Sequence, residues 1–183
     1  MMLPGMRVAG AAAAMSVVIL LTGCAGGGSD ENAVSLTDTK GPTQLLRNEA
    51  SSRIPSGSID AIAGEEDHSV ACKSEDEDPK GLYRSWQSSL LAQIDTDAAW
   101  RVAQIGTDVS DSFIADGWFV SGTKDGKDTT TLTRPGAVST LAFTTTEGDA
   151  NGVGATIHID ATGPCVLTEG PKSSEVTRLE AAK

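Results

Sequence analysis

The chain has 183 residues, with 25 Asp and Glu against 14 Lys and Arg, a formal net charge of -11 and an aromatic content of 4%. Such an anionic surplus is repelled by phosphate backbones and by anionic lipid surfaces, which argues against nucleic acid as a partner. Beyond the N-terminal segment described next, roughly 120 to 140 residues remain, enough for one hydrophobic core and too few for two.

Arg7 and the amino terminus supply a positive start, followed by an apolar run over residues 8–21 that ends in small residues. This is the anatomy of an export signal. The run is shorter than the roughly 18 to 20 apolar residues that a membrane-spanning helix requires. The four residues that close it, Leu21-Thr22-Gly23-Cys24, resemble a bacterial lipobox. That resemblance implies that residues 1–23 are a lipoprotein signal peptide, and that Cys24 becomes the first residue and carries diacylglycerol. A single acyl chain binds membranes only marginally, at about 0.8 kcal/mol per buried methylene, whereas two or three hold the protein there. An ordinary secretory cleavage near Ala25 is the alternative, and it would leave the chain unanchored. The expected location is therefore the extracytoplasmic face of the cell membrane, with the membrane itself a partner through Cys24. Residues 24–40, opening with Ala25-Gly26-Gly27-Gly28-Ser29, read as a flexible tether.

The expected elements follow in chain order. Pro42 suits a first helical turn, Leu45, Leu46, Ala50 and Ile54 recur at helical spacing, and Pro55 stops the run, so a short helix is predicted after Gly41. A polar connection leads to a short strand over 69–73, then a charged loop over 74–79. Over residues 84–94, Trp86, Ser88, Leu90, Ala92 and Ile94 alternate with more polar positions, the signature of a half-buried strand. Asp95 or Thr96 can cap a long helix whose inner face is Val102, Ile105, Val109 and Phe113, closed by Gly117. An antiparallel meander follows over 118–121, 129–134, 138–146 and 153–161, with turns at Lys124-Asp125-Gly126, Pro135-Gly136 and residues 149–152. The fold class predicted is a two-layer α+β domain over residues 41–168. One long helix packs on an antiparallel sheet of about five to six strands, beside a short N-terminal helix, and residues 169–183 form a polar tail.

With Cys24 lipidated, Cys72 and Cys165 are an even pair in an oxidising compartment, which predicts a disulfide; two separate buried thiols are the alternative. Chemistry-bearing patterns are otherwise thin. His158 falls on the polar side of the last clear strand, where a solvated imidazole is the plainer reading than a base. His68 follows Glu65, Glu66 and Asp67, a solvated acidic run before it is a metal site. No Gly-x-Ser-x-Gly elbow is present, and paired cysteines offer no thiolate. The acidic run Glu75-Asp76-Glu77-Asp78 lacks the spaced ligands and turn glycine of a helix-loop-helix calcium loop; the segment 147–152 comes closer to a calcium-turn composition, and a plain hairpin turn is the favoured reading. No catalytic residue, metal or cofactor is expected.

Thr129, Thr131 and Thr133 share one strand face, either a plain exposed pleat or a binding surface. Trp86 and Trp118 are assigned to the core. Trp100 lies off the helix face just defined, and either packs under the N-terminal helix or is an exposed contact for a partner.

Taken together, the lipobox, the Gly/Ser tether, Arg84-Ser85-Trp86 with Ser88-Ser89, the helix ending at Gly117-Trp118 and the late Gly163-Pro164-Cys165 resemble small actinobacterial cell-envelope lipoproteins of unknown function. The resemblance implies a location and a fold and transfers no catalytic residue. The function it leaves is a membrane-anchored lipoprotein with a non-catalytic binding or scaffolding domain, whose partner is another envelope protein. A carrier of a lipid or other small apolar ligand is the alternative, and it requires an apolar cavity. A hydrolase would require His158 in a cleft beside a carboxylate or hydroxyl.

Overall fold

The computed structural model describes residues 34–123, 128–136 and 139–182. The expected signal peptide, Cys24, most of the tether, the turn at Lys124-Asp125-Gly126 and Val138 lie outside the described residues. In order, the chain forms α1 (Leu36–Ser52), β1 (Ile59–Ala71), β2 (Tyr83–Ile94), α2 (Val102–Ala115), β3 (Phe119–Thr123), β4 (Thr129–Thr133), β5 (Thr140–Thr146), β6 (Thr156–Thr162), β7 (Val166–Leu167) and α3 (Ser174–Ala181). The seven strands make one antiparallel sheet in the order β1-β2-β6-β5-β4-β3, with β7 pairing the first residues of β2. No helix among the described residues is long and apolar enough to cross a membrane.

This overturns the expected plan of one long helix on five to six strands. Among the described residues the longest helix is α1, at 17 residues, against 14 for α2. It starts in the segment assigned to the tether, because Ser35 and Asp38 form a capping box: Ser35 accepts from the Asp38 N–H, and Asp38 accepts from Ser35 N at 3.0 Å. Pro42 sits inside the helix, not in its first turn. The buried stripe is Leu36, Thr39, Thr43, Arg47 and Ala50, which is mostly polar, while Leu45 is exposed. Of the expected apolar set, Leu46, Ala50 and Ile54 do pack against the core, but they lie in the second half of the helix or just past it, so apolar periodicity finds only its C-terminal end.

The other added pieces have similar causes. β1 runs for 13 residues where only its last few were expected, because its first half is an exposed sheet edge with no apolar alternation. Two register shifts near Ala61 and Gly64, together with Glu65, Glu66 and Asp67, protect that edge from pairing with another chain. The presumed tail contains α3, capped by Ser173, whose Val176 and Leu179 pack with Leu36, Trp86 and Val166. Thr37 donates through its hydroxyl and its N–H to Glu175, and Lys40 donates from Nζ to the carbonyls of Leu179 and Ala182 at the end of α3.

The inner face of the sheet follows the predicted alternation of β2, where Trp86, Leu90, Ala92 and Ile94 are buried, and is completed by Leu132, Leu141, Phe143, Ile157, Ile159 and Ala161. The predicted face of α2, Val102, Ile105, Val109 and Phe113, packs into the same cluster, together with Ala50 and Ile54 of the α1 end. Gly117 takes φ +87 just past α2, a left-handed stop that lets Trp118 fold back to meet Phe113 edge-on at 5.5 Å. Trp86 and Trp118 are both core residues, as expected. Cys72 and Cys165 form the predicted disulfide, with Cα atoms 5.8 Å apart.

Candidate functional site

With the helices gathered on the inner face, the side chains of opposite parity form an outer face. Register places Thr133, Thr140, Thr162 and Gln87 in one cross-strand row, Thr131, Ala142, Asp160 and Ser89 in the next, and Thr129, Thr144, His158 and Leu91 in a third. Hydroxyls dominate, and the Thr129 and Thr144 hydroxyls bond each other at 2.9 Å. Thr suits an exposed pleat because its branched Cβ fits the strand while the hydroxyl stays hydrated.

One charged constellation stands on this face. His158 and Asp160 lie two residues apart on β6, hence on the same side, and Nδ1 of the ring is 3.1 Å from Asp160 Oδ2. Gln87, from β2, donates to the other carboxylate oxygen at 3.1 Å and fixes its orientation. The hydrogen bond with Asp160 raises the His158 pKa above the ordinary imidazole value; burial opposes it, and the charges of Asp160 and Glu66 add to it. Sequence reading identified His158 but not its partners Asp160 and Gln87, although the i, i+2 spacing of a strand carries the first of these. The pair meets half of the hydrolase requirement, a carboxylate beside the imidazole. It does not meet the other half, since the His158 side chain is 41% exposed on an open pleat.

A raised folded pKa makes a contribution to stability that is complete below the unfolded pKa and disappears as pH rises through the folded one. Exposure keeps that contribution small. The shift itself is measurable: a proton NMR titration of His158 is expected to give a midpoint above that of a free imidazole, and Asp160→Asn to lower it. An unchanged midpoint in the variant would show that Asp160 does not hold the proton.

His68 belongs to the edge strand β1, where residues 65–68 line an open cleft of about 350 Å³. Asp67 turns inward from this run. It accepts from Gln44 at 3.0 Å and from the Trp86 indole at 3.4 Å, and it faces Arg47 of α1 at 3.6 Å. Burial weighs against its charge, yet Gln44, Trp86 and Arg47 together hold its pKa below the usual carboxylate value. The run His68 shares is thus in part a structural clamp for α1. Among the described residues no group of three or more His, Cys, Asp or Glu is arranged to hold a metal ion.

Trp100 does not pack under the N-terminal helix. It sits in a single 3-10 turn ahead of α2, is 81% exposed, and donates its indole N–H to the Asp97 carbonyl at 3.0 Å. Its ring forms one side of a cleft of about 420 Å³ whose other side is the β5–β6 loop. A second cleft of about 250 Å³ lies between α2 and the strands β4 and β5, lined largely by Thr and Ser.

No protein-family model, curated protein or solved structure matches this chain.

Proposed function

We propose that this chain is a lipid-anchored envelope protein whose domain binds another envelope component through the helix-free face of its sheet, without catalysis. The observation that carries the reading is the asymmetry of the two faces. The three helices of the described residues and the buried apolar side chains serve the inner one, and the outer one offers rows of hydroxyls, Gln87 and the His158–Asp160 pair, with Leu91 and the exposed Phe119 among them. The anchor rests on the N-terminal signal and on Cys24. The carrier alternative fits less well: Trp86, Phe113, Phe143, Leu132, Leu141, Ile157 and Ile159 fill the space between helices and sheet. The cleft that does open between α2 and the sheet is small and polar-walled.

Two measurements test this. Cys24→Ser is expected to move the protein from the membrane fraction to the soluble fraction, and retention in the membrane would overturn the anchor. A photo-cross-linking residue at Thr131 or Thr144 of the full chain in its own envelope is expected to give one discrete higher-mass product. The same residue at Asp108, exposed on α2, is expected to give none. Cross-linking from Asp108 alone would move the interface to the helical side and overturn the reading.

A further inference from the structure

One of the three Trp side chains is left in solvent and held in place. Trp86 and Trp118 are 0% and 7% exposed, against 81% for Trp100. Its orientation is set by the hydrogen bond from its indole to the Asp97 carbonyl. The turn beneath it is set as well, since Asp95 accepts from the Asp97 N–H at 2.8 Å.

The facing loop is equally rigid. Asp149 Oδ1 accepts from the N–H groups of Asn151 and Val153 at 2.8 and 3.0 Å, and the Asp149 N–H donates to the Val153 carbonyl at 2.9 Å. Gly152 takes φ +79 directly against the Trp100 turn; a Cβ there would stand 2.9 Å from the Ala99 Cβ and 3.1 Å from the Thr96 carbonyl oxygen. The two walls are therefore in contact at the floor, and the cleft is preformed. Among the described residues that line it, Glu147 and Asp149 are carboxylates and none is basic. Asp95 lines the adjoining cleft on the other side of Gly152. Arg101 lies over the Trp100 ring at 5.4 Å without lining the cleft. The ring thus already attracts one guanidinium.

From this we infer that the Trp100 cleft is a docking site for a lysine or arginine side chain on a basic segment of a partner protein. The cation lies against the indole face, where the ring quadrupole attracts it, and its charge meets Glu147 and Asp149. Charge complementarity selects this occupant. A neutral sugar would use the ring but leave the carboxylates without a counter-charge, and an anionic ligand would be repelled by them. The inference does not depend on the role of the outer sheet face.

The test uses the full chain in a neutral detergent and isothermal titration calorimetry with a tetralysine peptide blocked at both ends. Saturable binding is expected at low salt, weakened at high salt because the site is open to solvent. Trp100→Ala is expected to weaken it by about tenfold, and Glu147→Gln by about threefold. Both side chains are on the surface, so neither change threatens folding. The same peptide with its side-chain amines acetylated is expected not to bind. Absence of tetralysine binding would overturn the inference, as would equal affinity for Trp100→Ala. Binding of a neutral oligosaccharide at Trp100 in place of the peptide would also overturn it and assign the cleft to glycans.

Discussion

Replacing Cys72 and Cys165 together by serine is expected to lower the free energy of unfolding by about 4 kcal/mol. The bridge joins residues 93 apart in sequence. Cutting it therefore frees a long loop in the unfolded ensemble, where most of the effect resides. Its position in the fold adds a second reason. Cys72 directly follows β1 and donates its N–H to the Tyr83 carbonyl, while Cys165 directly precedes β7, which pairs with Tyr83 and Arg84. β7 has only two residues, so the disulfide keeps the late chain, and with it α3 and the Val176 and Leu179 contacts to Trp86, against the start of the sheet. Urea unfolding of the double variant and of wild type, each with and without reductant, checks this. Reductant is expected to destabilise wild type to the level of the variant and to leave the variant unchanged. A difference below about 1 kcal/mol would mean that pairing of β7 and packing of α3 hold the segment unaided.

Where one side of an element is apolar and the other polar, its place was legible from residues alone. β2 and the inner face of α2 are such cases, and so are the later strands, though their ends differ by a few residues. Val153, for example, lies before β6 and is exposed instead of opening that strand. Where burial is polar, the pattern is silent. α1 buries Thr39, Thr43 and Arg47 and exposes Leu45, so its extent was signalled only by the Ser35 and Asp38 cap, and Gly41-Pro42 masked that signal. β1 is an edge, and edges have no reason to alternate. The candidate sites show the same division. Trp100 could be placed off the core by helical geometry, but its cleft depends on the approach of a loop some fifty residues later, which no local pattern encodes. The partnership of Gln87 with Asp160 depends on strand order, which became available only with the fold.

The buried polar stripe of α1 has an energetic consequence. Arg47→Met is expected to cost about 3 kcal/mol, although methionine preserves much of the packing volume and helix propensity. The Arg47 side chain is 6% exposed, and it reaches Asp67 at 3.6 Å, Glu65 at 3.5 Å and the Ser89 carbonyl at 3.4 Å. Removing it leaves a partly buried carboxylate, its side chain 22% exposed, without its cation, and that is the costly half of breaking such a pair. Asp67→Asn added to Arg47→Met is then expected to cost less than the two single changes summed, with a coupling of about 1 to 3 kcal/mol. The pH dependence has a definite sign. Because the Asp67 pKa is lowered in the folded state, its contribution is present at neutral pH and is lost as pH falls through the unfolded value near ~3.9 and on through the folded one. Arg47→Met removes one of the causes of that lowering, which brings the two pKa values together, so the variant is expected to lose stability less steeply in acid than wild type. Urea unfolding of the four proteins across that range checks both effects. Additive costs and parallel pH profiles would show that Arg47 serves α1 through its aliphatic stem alone, and that the Asp67 charge is held by Gln44 and Trp86 without it.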